Sequence, residues 1–513
     1  MATISARCDC VKLSARPAPG SSNANDAQTR NGQTEYRGIF VVRSVDLACV
    51  AGPGVRVYGD RVIALPSRAG LVSGLCALAL AGCSTIGNIG NSLVGAPKTP
   101  EGTPGFVSGF LGGVVADEPR AALAGRQVLS TGGNAADAAV AVALTLSVTY
   151  PSRASLGGGG ACLAYDPRRA GPNGGVPEAV LFVPPAPAQG GPGDRPAAVP
   201  MLARGLYALS ARYGRQPFEQ LVAPSEQIAR FGVPVSRALA QDLAVVAGPL
   251  AADPSARAVF FRNGVPLAEG DNLVQPDLAS TLSALRTAGV GDFYQGGSAR
   301  KIADASVVAG GSFTPDDLRV SIARFVPGIA VASGRDQAVF LPREADGGAA
   351  AATYAALRQS GSATAAAPAR GPLPASTTFV TLDRDGNAVV CALTMNNLFG
   401  TGRVAPGTGM VLAASPSSVP AALLGAALAY NGSIRGFRAA VGGSGQEGAP
   451  LAVAYGLAGA LADNRSPPQP MPTPVPEPGR ADVIACNRYL PGDGNSCAWA
   501  TDRRGWGLAV GSY

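Results

Sequence analysis

The sequence predicts a layered α/β fold. Two helices stand back to back between Pro119 and Val148, a glycine run opens a strand at Ala161–Tyr165, and two apolar runs flank a polar turn at Asp383–Asn387. Strands that alternate with helix pairs bury their apolar faces best as stacked layers. Glu118-Pro119 starts the first helix, with Pro at an early position where its missing N–H costs little. Ala121, Leu123, Ala124, Val128 and Leu129 give that helix its apolar face, and Gly132-Gly133 stops it. The second helix, Asn134 to Val148, is apolar nearly all round, which predicts full burial, and Pro151 ends it. Gly157 to Gly160 implies a close approach of backbones or of a ligand. It is not a phosphate loop, because the Lys and Ser/Thr of that motif are missing. Phe379, Thr381, Ala388, Val390 and Ala392 lie either side of Asp383-Arg384-Asp385-Gly386-Asn387, the pattern of a β-hairpin. Ala349–Pro374 is rich in Ala, Ser and Pro and reads as a flexible loop.

Composition narrows the chemistry. The 513 residues are 47% hydrophobic with mean hydropathy +0.18, ample for a sizeable core. The formal charge of +7 rests mostly on Arg, since Lys12, Lys98 and Lys301 are the only lysines. The basic residues are scattered, with no Lys/Arg run and no aromatic-interleaved patch, so no nucleic-acid partner is expected. The chain has no histidine. That excludes a Ser-His-Asp triad and any His-ligated metal site, and no cofactor is expected. Acyl transfer would then need a nucleophile that uses its own α-amino group as base.

A targeting signal lies inside the chain. Arg61 and Arg68 precede the apolar run Leu71–Ala81, which ends Leu80-Ala81-Gly82-Cys83. The run is short of the ~20 residues that span a bilayer as a helix. Its order of charge, apolar run and small residues is that of a signal peptide. Leu-Ala-Gly-Cys resembles a bacterial lipobox, which makes Cys83 the expected lipidation site and mature N-terminus. The implied location is the periplasm, anchored to the outer membrane. Residues 1–61 are expected to lie upstream of the true start, 62–82 to be the signal and 83–112 a tether. Of the cysteines beyond Cys83, Cys486 and Cys497 flank a turn-rich loop and are the expected disulfide, while Cys162 and Cys391 are expected as free, buried thiols.

The remaining segments resemble one family in order. Ala124 to Ala141, the Gly157–Leu163 strand, Pro200–Leu243, Gly270–Ala279, Phe293–Gly296, Ser376–Gly402, Pro406–Met410, Gly442–Ser444 and the Ala509-Val510-Gly511 ending resemble gamma-glutamyltransferases. The resemblance implies a four-layer αββα Ntn-hydrolase sandwich of two stacked antiparallel sheets flanked by helices. It also implies a large-subunit-like part, 113–375, and a small-subunit-like part, 376–513, that stay associated after self-cleavage. Aligned without gaps to the family's nucleophile segment, with Asp383 as anchor, the nucleophile is Ser376. Thr377 is the alternative, but it requires a one-residue deletion that would flip alternate side chains of a strand. By the same alignment Thr394 bonds the nucleophile, Asn396 lines the substrate site, and Gly442 and Gly443 supply oxyanion N–H groups.

The departures concern recognition. The family's substrate-binding Arg is Val183 here, and its amine-binding Gln and Asp are Ser415 and Ser418. Its paired Ser fall near Leu423-Leu424, and the His after the nucleophile pair is Thr378. Arg153 or Arg403 could substitute for the missing charge. The implied function is a self-cleaving amidohydrolase or transferase acting on a small-molecule or peptide amide, of the gamma-glutamyl or glutathione kind, with altered recognition. Apolar replacements at Val183 and Leu423 would suit an apolar acyl group. The alternative is a non-catalytic lipoprotein that binds a peptide or envelope partner.

Overall fold

A computed structural model describes residues 109–169, 175–188, 193–363, 375–420, 422–466, 468 and 475–512. The upstream segment 1–61, the signal at 62–82, Cys83 and nearly all of the tether lie outside these residues. Thirteen strands form the two main sheets: β1 Gly112–Ala116, β2 Glycine-led Gly159–Tyr165, β3 Glu178–Phe182, β4 Arg324–Pro327, β5 Ile329–Ser333, β6 Asp336–Phe340, β7 Ser376–Asp383, β8 Ala388–Thr394, β9 Gly425–Asn431, β10 Gly436–Ser444, β11 Arg480–Leu490, β12 Cys497–Ala500 and β13 Leu508–Ser512. The first sheet runs β13-β1-β7-β8-β2-β3-β4 and the second β12-β11-β10-β9-β6-β5. Every neighbouring pair in both sheets is antiparallel.

Strand alternation sorts side chains into three cores. On β7, Val380 and Leu382 point between the sheets, where they meet Val390, Leu428 and Ile484. Phe379 points the other way, into a helical layer with Val114, Leu144 and Leu206. Beyond the second sheet, Val441 and Val483 pack on Tyr354, Val453 and Leu457. The order of layers is therefore helix, sheet, sheet, helix.

The helices follow from their ends as much as from their faces. Helix α1, Pro119–Ser130, is capped by Glu118, whose carboxylate accepts from the Ala121 N–H at 2.9 Å. In α2, Ala135–Thr149, every residue is buried. Asn134 and Asp137 form a reciprocal capping box, each side chain accepting from the other's N–H at 3.0 Å. Asp137 also accepts from the N–H groups of Arg215 (2.9 Å) and Gln216 (3.2 Å), so one carboxylate ties α2 to the end of α3, Leu202–Tyr213. The hairpin turn is tied to the same place: Asp383 accepts from the Ala135 N–H at 3.1 Å and from Asn387 Nδ2 at 2.8 Å. The glycine run is explained by backbone alone. A Cβ on Gly157 would lie 2.2 Å from the Val411 carbonyl oxygen, and one on Gly160 would lie 2.3 Å from that of Ala392.

Two expectations are corrected. Residues 349–360 are not a loop but a helix, Ala349–Ser360, with Ala350, Ala351 and Tyr354 buried. Its composition was misleading because Ala is the strongest helix former. Gly348 and Gly361, both left-handed, bound it, and the Tyr354 hydroxyl reaches that of Ser333 at 2.7 Å. Residues 364–374 lie outside the described residues. The second correction is that Cys162 and Cys391 are not free thiols but a disulfide. They stand directly opposite each other on β2 and β8, with Cα atoms 4.0 Å apart. A separation of 229 residues hides that register from the sequence. Cys486 and Cys497 form a second disulfide across β11 and β12.

Candidate active site

Ser376 is the first residue of β7, in the strand pair that fills the centre of the first sheet. The register sets Thr394 opposite Ser376, and Gly159 opposite Thr394. By alternation Ser376 shares the inter-sheet face with Thr378 and Val380. Its hydroxyl is fully buried and has no hydrogen-bond partner. The carbonyl that Ser376 would attack, that of Ala375, already accepts from the Met395 N–H at 3.0 Å. This donor sits where negative charge would develop during attack on that carbonyl.

The neighbours are held firmly. The Thr394 hydroxyl oxygen accepts from the Asn396 N–H at 2.8 Å, which leaves its O–H to donate. Asn396 takes a left-handed backbone, φ 58°, which Asn adopts more readily than most residues. Its Nδ2 donates to the Ala414 carbonyl at 2.9 Å, while its Oδ1 is buried without a partner. Thr377 points to the opposite face, and its hydroxyl donates to Asp117 Oδ2 at 2.9 Å. The two nucleophile candidates therefore differ: Ser376 faces the space between the sheets with an unengaged hydroxyl, and Thr377 does not.

The glycine pair departs from expectation. Gly442 and Gly443 lie inside β10, which is paired on both sides. Gly442 faces Thr378, one pleat along from Ser376, and a Cβ there would come within 2.8 Å of Thr378 Cβ. Gly443 faces away, towards the Ala449 carbonyl and Val453. In this uncut chain it is the Met395 N–H, not these two, that meets the Ala375 carbonyl.

Neither candidate arginine offers a free guanidinium. Arg403 binds Asp194 at 2.7 Å and the Ala309 carbonyl at 3.1 Å. Arg153 is at the site, with Nη1 3.5 Å from the Ser376 carbonyl, but its Nε and Nη2 grip Asp242 at 2.8 Å each. Burial opposes the Arg153 charge, yet Tyr150, Asp242 and Asp117 outweigh it and hold the guanidinium charged. Ser415 is buried with its hydroxyl 2.8 Å from that of Ser417, and Ser418 donates to the Ser415 carbonyl at 2.9 Å. Val183 follows β3 on the inter-sheet side. Counting strands from Ser376 through Thr394 and Gly159 puts it about 14 Å across the sheet, at about 4.8 Å per strand. There it lines a cavity of about 230 Å³ with Leu181, Met201 and Ile322 and with the charged Arg324 and Glu344.

Sequence reasoning missed two carboxyl groups. Asp117, just after β1, accepts from the Thr377 hydroxyl and from the Thr378 N–H at 3.0 Å. Asp482, on β11, accepts from the Thr378 hydroxyl at 3.2 Å. Burial raises the pKa of both, and that of Asp482 stands well above the ordinary carboxyl range. The available signal was one acidic residue inside the apolar run Ala481–Cys486.

The layers define the fold class, a four-layer αββα sandwich of the Ntn-hydrolase kind. It superposes on the crystal structure of cephalosporin acylase from Bacillus halodurans with a TM-score of 0.62, across 81% of this chain and 99% of that one, at 18% identity. The family is narrower. Residues 121–370 match the model of the gamma-glutamyltranspeptidase family. Similar curated proteins include the glutathione hydrolase proenzymes of Bacillus subtilis (strain 168), 35% identical over 228 residues, and Escherichia coli (strain K12), 34% identical over 225. Each alignment takes in 40% of this chain, and the chain spans only 37% and 38% of these relatives' lengths. The family match stops before Ser376.

Proposed function

We propose that the chain is a self-cleaving N-terminal-nucleophile amidohydrolase or acyltransferase with Ser376 as nucleophile. One observation carries this reading. A buried serine hydroxyl without a partner opens a central strand directly beside a carbonyl that already has an N–H donor. Ser376 Oγ adds to the Ala375 carbonyl carbon, the C–N bond breaks, the nitrogen takes the proton, and water hydrolyses the resulting ester. The freed α-amine, with a reference pKa near ~8, then serves as the base for Oγ. Thr394, opposite Ser376 with its O–H left to donate, would orient the hydroxyl, and Asn396 would line the substrate side. The family match and its relatives favour this over a binding-only lipoprotein.

The relatives are named as glutathione hydrolases. For this chain the substrate is an amide whose acyl part need not carry the charged glutamyl head. Val183, Ser415, Ser418 and Leu424 supply no charge, and Arg153 and Arg403 are already paired. The cavity beside Val183 is lined by Leu181, Phe182, Met201 and Ile322 as well as by Arg324 and Glu344, and its apolar part is the part we propose holds the acyl group. Anchoring by lipid at Cys83 and a periplasmic location remain part of the proposal, and two disulfides suit an oxidising compartment.

The test is a reducing, denaturing gel of the purified chain with N-terminal sequencing of the smaller band. A fragment that begins at Ser376, absent from Ser376→Ala and present in Thr377→Ala, is expected. A fragment beginning at Thr377, or no fragment after long incubation, would overturn the assignment. Comparing a γ-glutamyl anilide with an anilide of an uncharged acyl group then tests the substrate class.

A further inference from the structure

We propose that Asp482 and Asp117 form a one-proton carboxyl pair that, acting through Thr378, sets the charge around Ser376 in a chain without histidine. Both are positioning residues, because the groups they touch are Thr377, Thr378 and Ser444 rather than the reacting atoms. The kinetic part of the proposal rests on the self-cleavage reading above.

The two carboxyls grip one residue. Thr378 gives its N–H to Asp117 at 3.0 Å and its hydroxyl to Asp482 at 3.2 Å. Thr378 lies two positions from Ser376 on the same face of β7. Gly442 leaves room for it, since any Cβ there would collide with the Thr378 side chain. The surroundings of the two acids are unequal. Asp117 accepts from Thr377 and Thr378, is bonded by Ser444, and faces the Arg153 guanidinium. The charge therefore belongs on Asp117. Asp482 is 1% exposed, with one hydroxyl donor on Oδ2 and no partner on Oδ1. The charged groups that face it are acidic: Asp117 across Thr378, and Asp502, which is itself bound to Arg504. Tyr150 and Asp242 stand behind Arg153, and that guanidinium reaches Asp117 and the Ser376 carbonyl. A buried carboxylate with no cation is costly, so such a pair keeps one proton, and Asp482 holds it.

Oδ1, the oxygen that Thr378 leaves without a donor, would carry that proton, and Asp482 stands beside Gly442, which faces Thr378 on the side of β7 that also carries Ser376. If Asp482 ionises, two carboxylates flank Thr378. Their combined charge would oppose the negative charge that develops on the carbonyl oxygen as Ser376 Oγ adds to it. Self-cleavage and turnover should therefore fall at alkaline pH, as the pair loses its proton.

The experiment has two arms. In the first, self-cleavage of the full chain is followed against pH. The parent rate is expected to fall about tenfold per pH unit once the pair has lost its one proton. Asp482→Asn, a neutral mimic of the acid, should cut as fast as the parent on the acid side and lose the alkaline fall. Superimposable profiles would overturn the proposal. In the second arm, the uncut Ser376→Ala chain is examined by infrared spectroscopy for the carbonyl stretch of a protonated carboxylic acid at neutral pH. The band should vanish in Ser376→Ala/Asp482→Asn. In Ser376→Ala/Asp117→Asn it should titrate at lower pH, because the like charge is gone. No band, or a band that Asp482→Asn leaves intact, sinks the pair. A band that behaves as stated in a parent that never cuts upholds the pair and overturns the self-cleavage reading instead.

Discussion

Cleavage before Ser376 would leave its two products covalently joined. Cys162 falls in the larger piece and Cys391 in the smaller, and their disulfide crosses from β2 to β8 in the middle of the first sheet. The informative perturbation is Cys162→Ala/Cys391→Ala, built both in the parent and in the uncut Ser376→Ala chain. In the uncut chain the disulfide closes a loop with a sequence separation of 229. The chain-entropy treatment puts the stabilisation from a loop that long at about 5 kcal/mol at 25 °C. Strand pairing already holds the two cysteines opposite each other, so the expected loss is about 3–5 kcal/mol in urea unfolding. In the cut parent the loop no longer exists, and the bond instead keeps the pieces at high effective concentration. Denaturing gels run with and without reductant read this directly. The cut parent should migrate as one species without reductant and two with it, and the double variant as two in both. Two bands from the parent without reductant, or a loss below about 1 kcal/mol in the uncut chain, would refute the reasoning.

Further outcomes follow from the buried charges. Asp242→Asn leaves the Arg153 guanidinium, gripped at 2.8 Å twice, without its counter-ion. Breaking one side of such a pair should cost about 3–5 kcal/mol in chemical denaturation and slow self-cleavage, since Arg153 also reaches the Ser376 carbonyl. Asp137→Ala strips acceptors from the N–H groups of Asn134, Arg215 and Gln216, for a loss of about 2–4 kcal/mol and earlier hydrogen exchange at the start of α2. The raised pKa of Asp482 means that the folded chain keeps a proton the unfolded chain releases. Stability of the uncut chain should thus decline as pH rises from the ordinary carboxyl range towards the folded value, and Asp482→Asn should flatten that decline in thermal unfolding.

What could be read from the chain was local. The α1 cap, the buried α2, the hairpin and the glycine run are each fixed by residues within a few positions of one another. The Ala349 segment misled for the opposite reason: low complexity suggested a loop, but alanine with Tyr354 at the right period packs well on the second sheet. Pairings that depend on register were out of reach. Nothing near Cys162 points to Cys391, and nothing near Thr378 points to Asp117 or Asp482. Those contacts exist because antiparallel strands from distant segments bring specific positions face to face.

The same distinction accounts for a site that could keep its chemistry while its recognition changes. The groups expected to act on the Ala375–Ser376 bond are a hydroxyl, a second hydroxyl and a backbone N–H, and all come from β7, β8 and the turn after them. Backbone donors survive almost any substitution that preserves strand pairing, and a serine hydroxyl is small enough to be carried without rearrangement. Recognition of a charged head draws instead on side chains from several distant segments, each useful only if the others are present. If Val183 takes the position of a recognition cation, as proposed, an acid near Ser415 or Ser418 would bury charge without a partner. Neutral replacements at those positions are then what stability favours. On the proposed reading, a recognition site without its first charged contact gains little from the others, which is why an uncharged acyl group is the substrate class put to the anilide test.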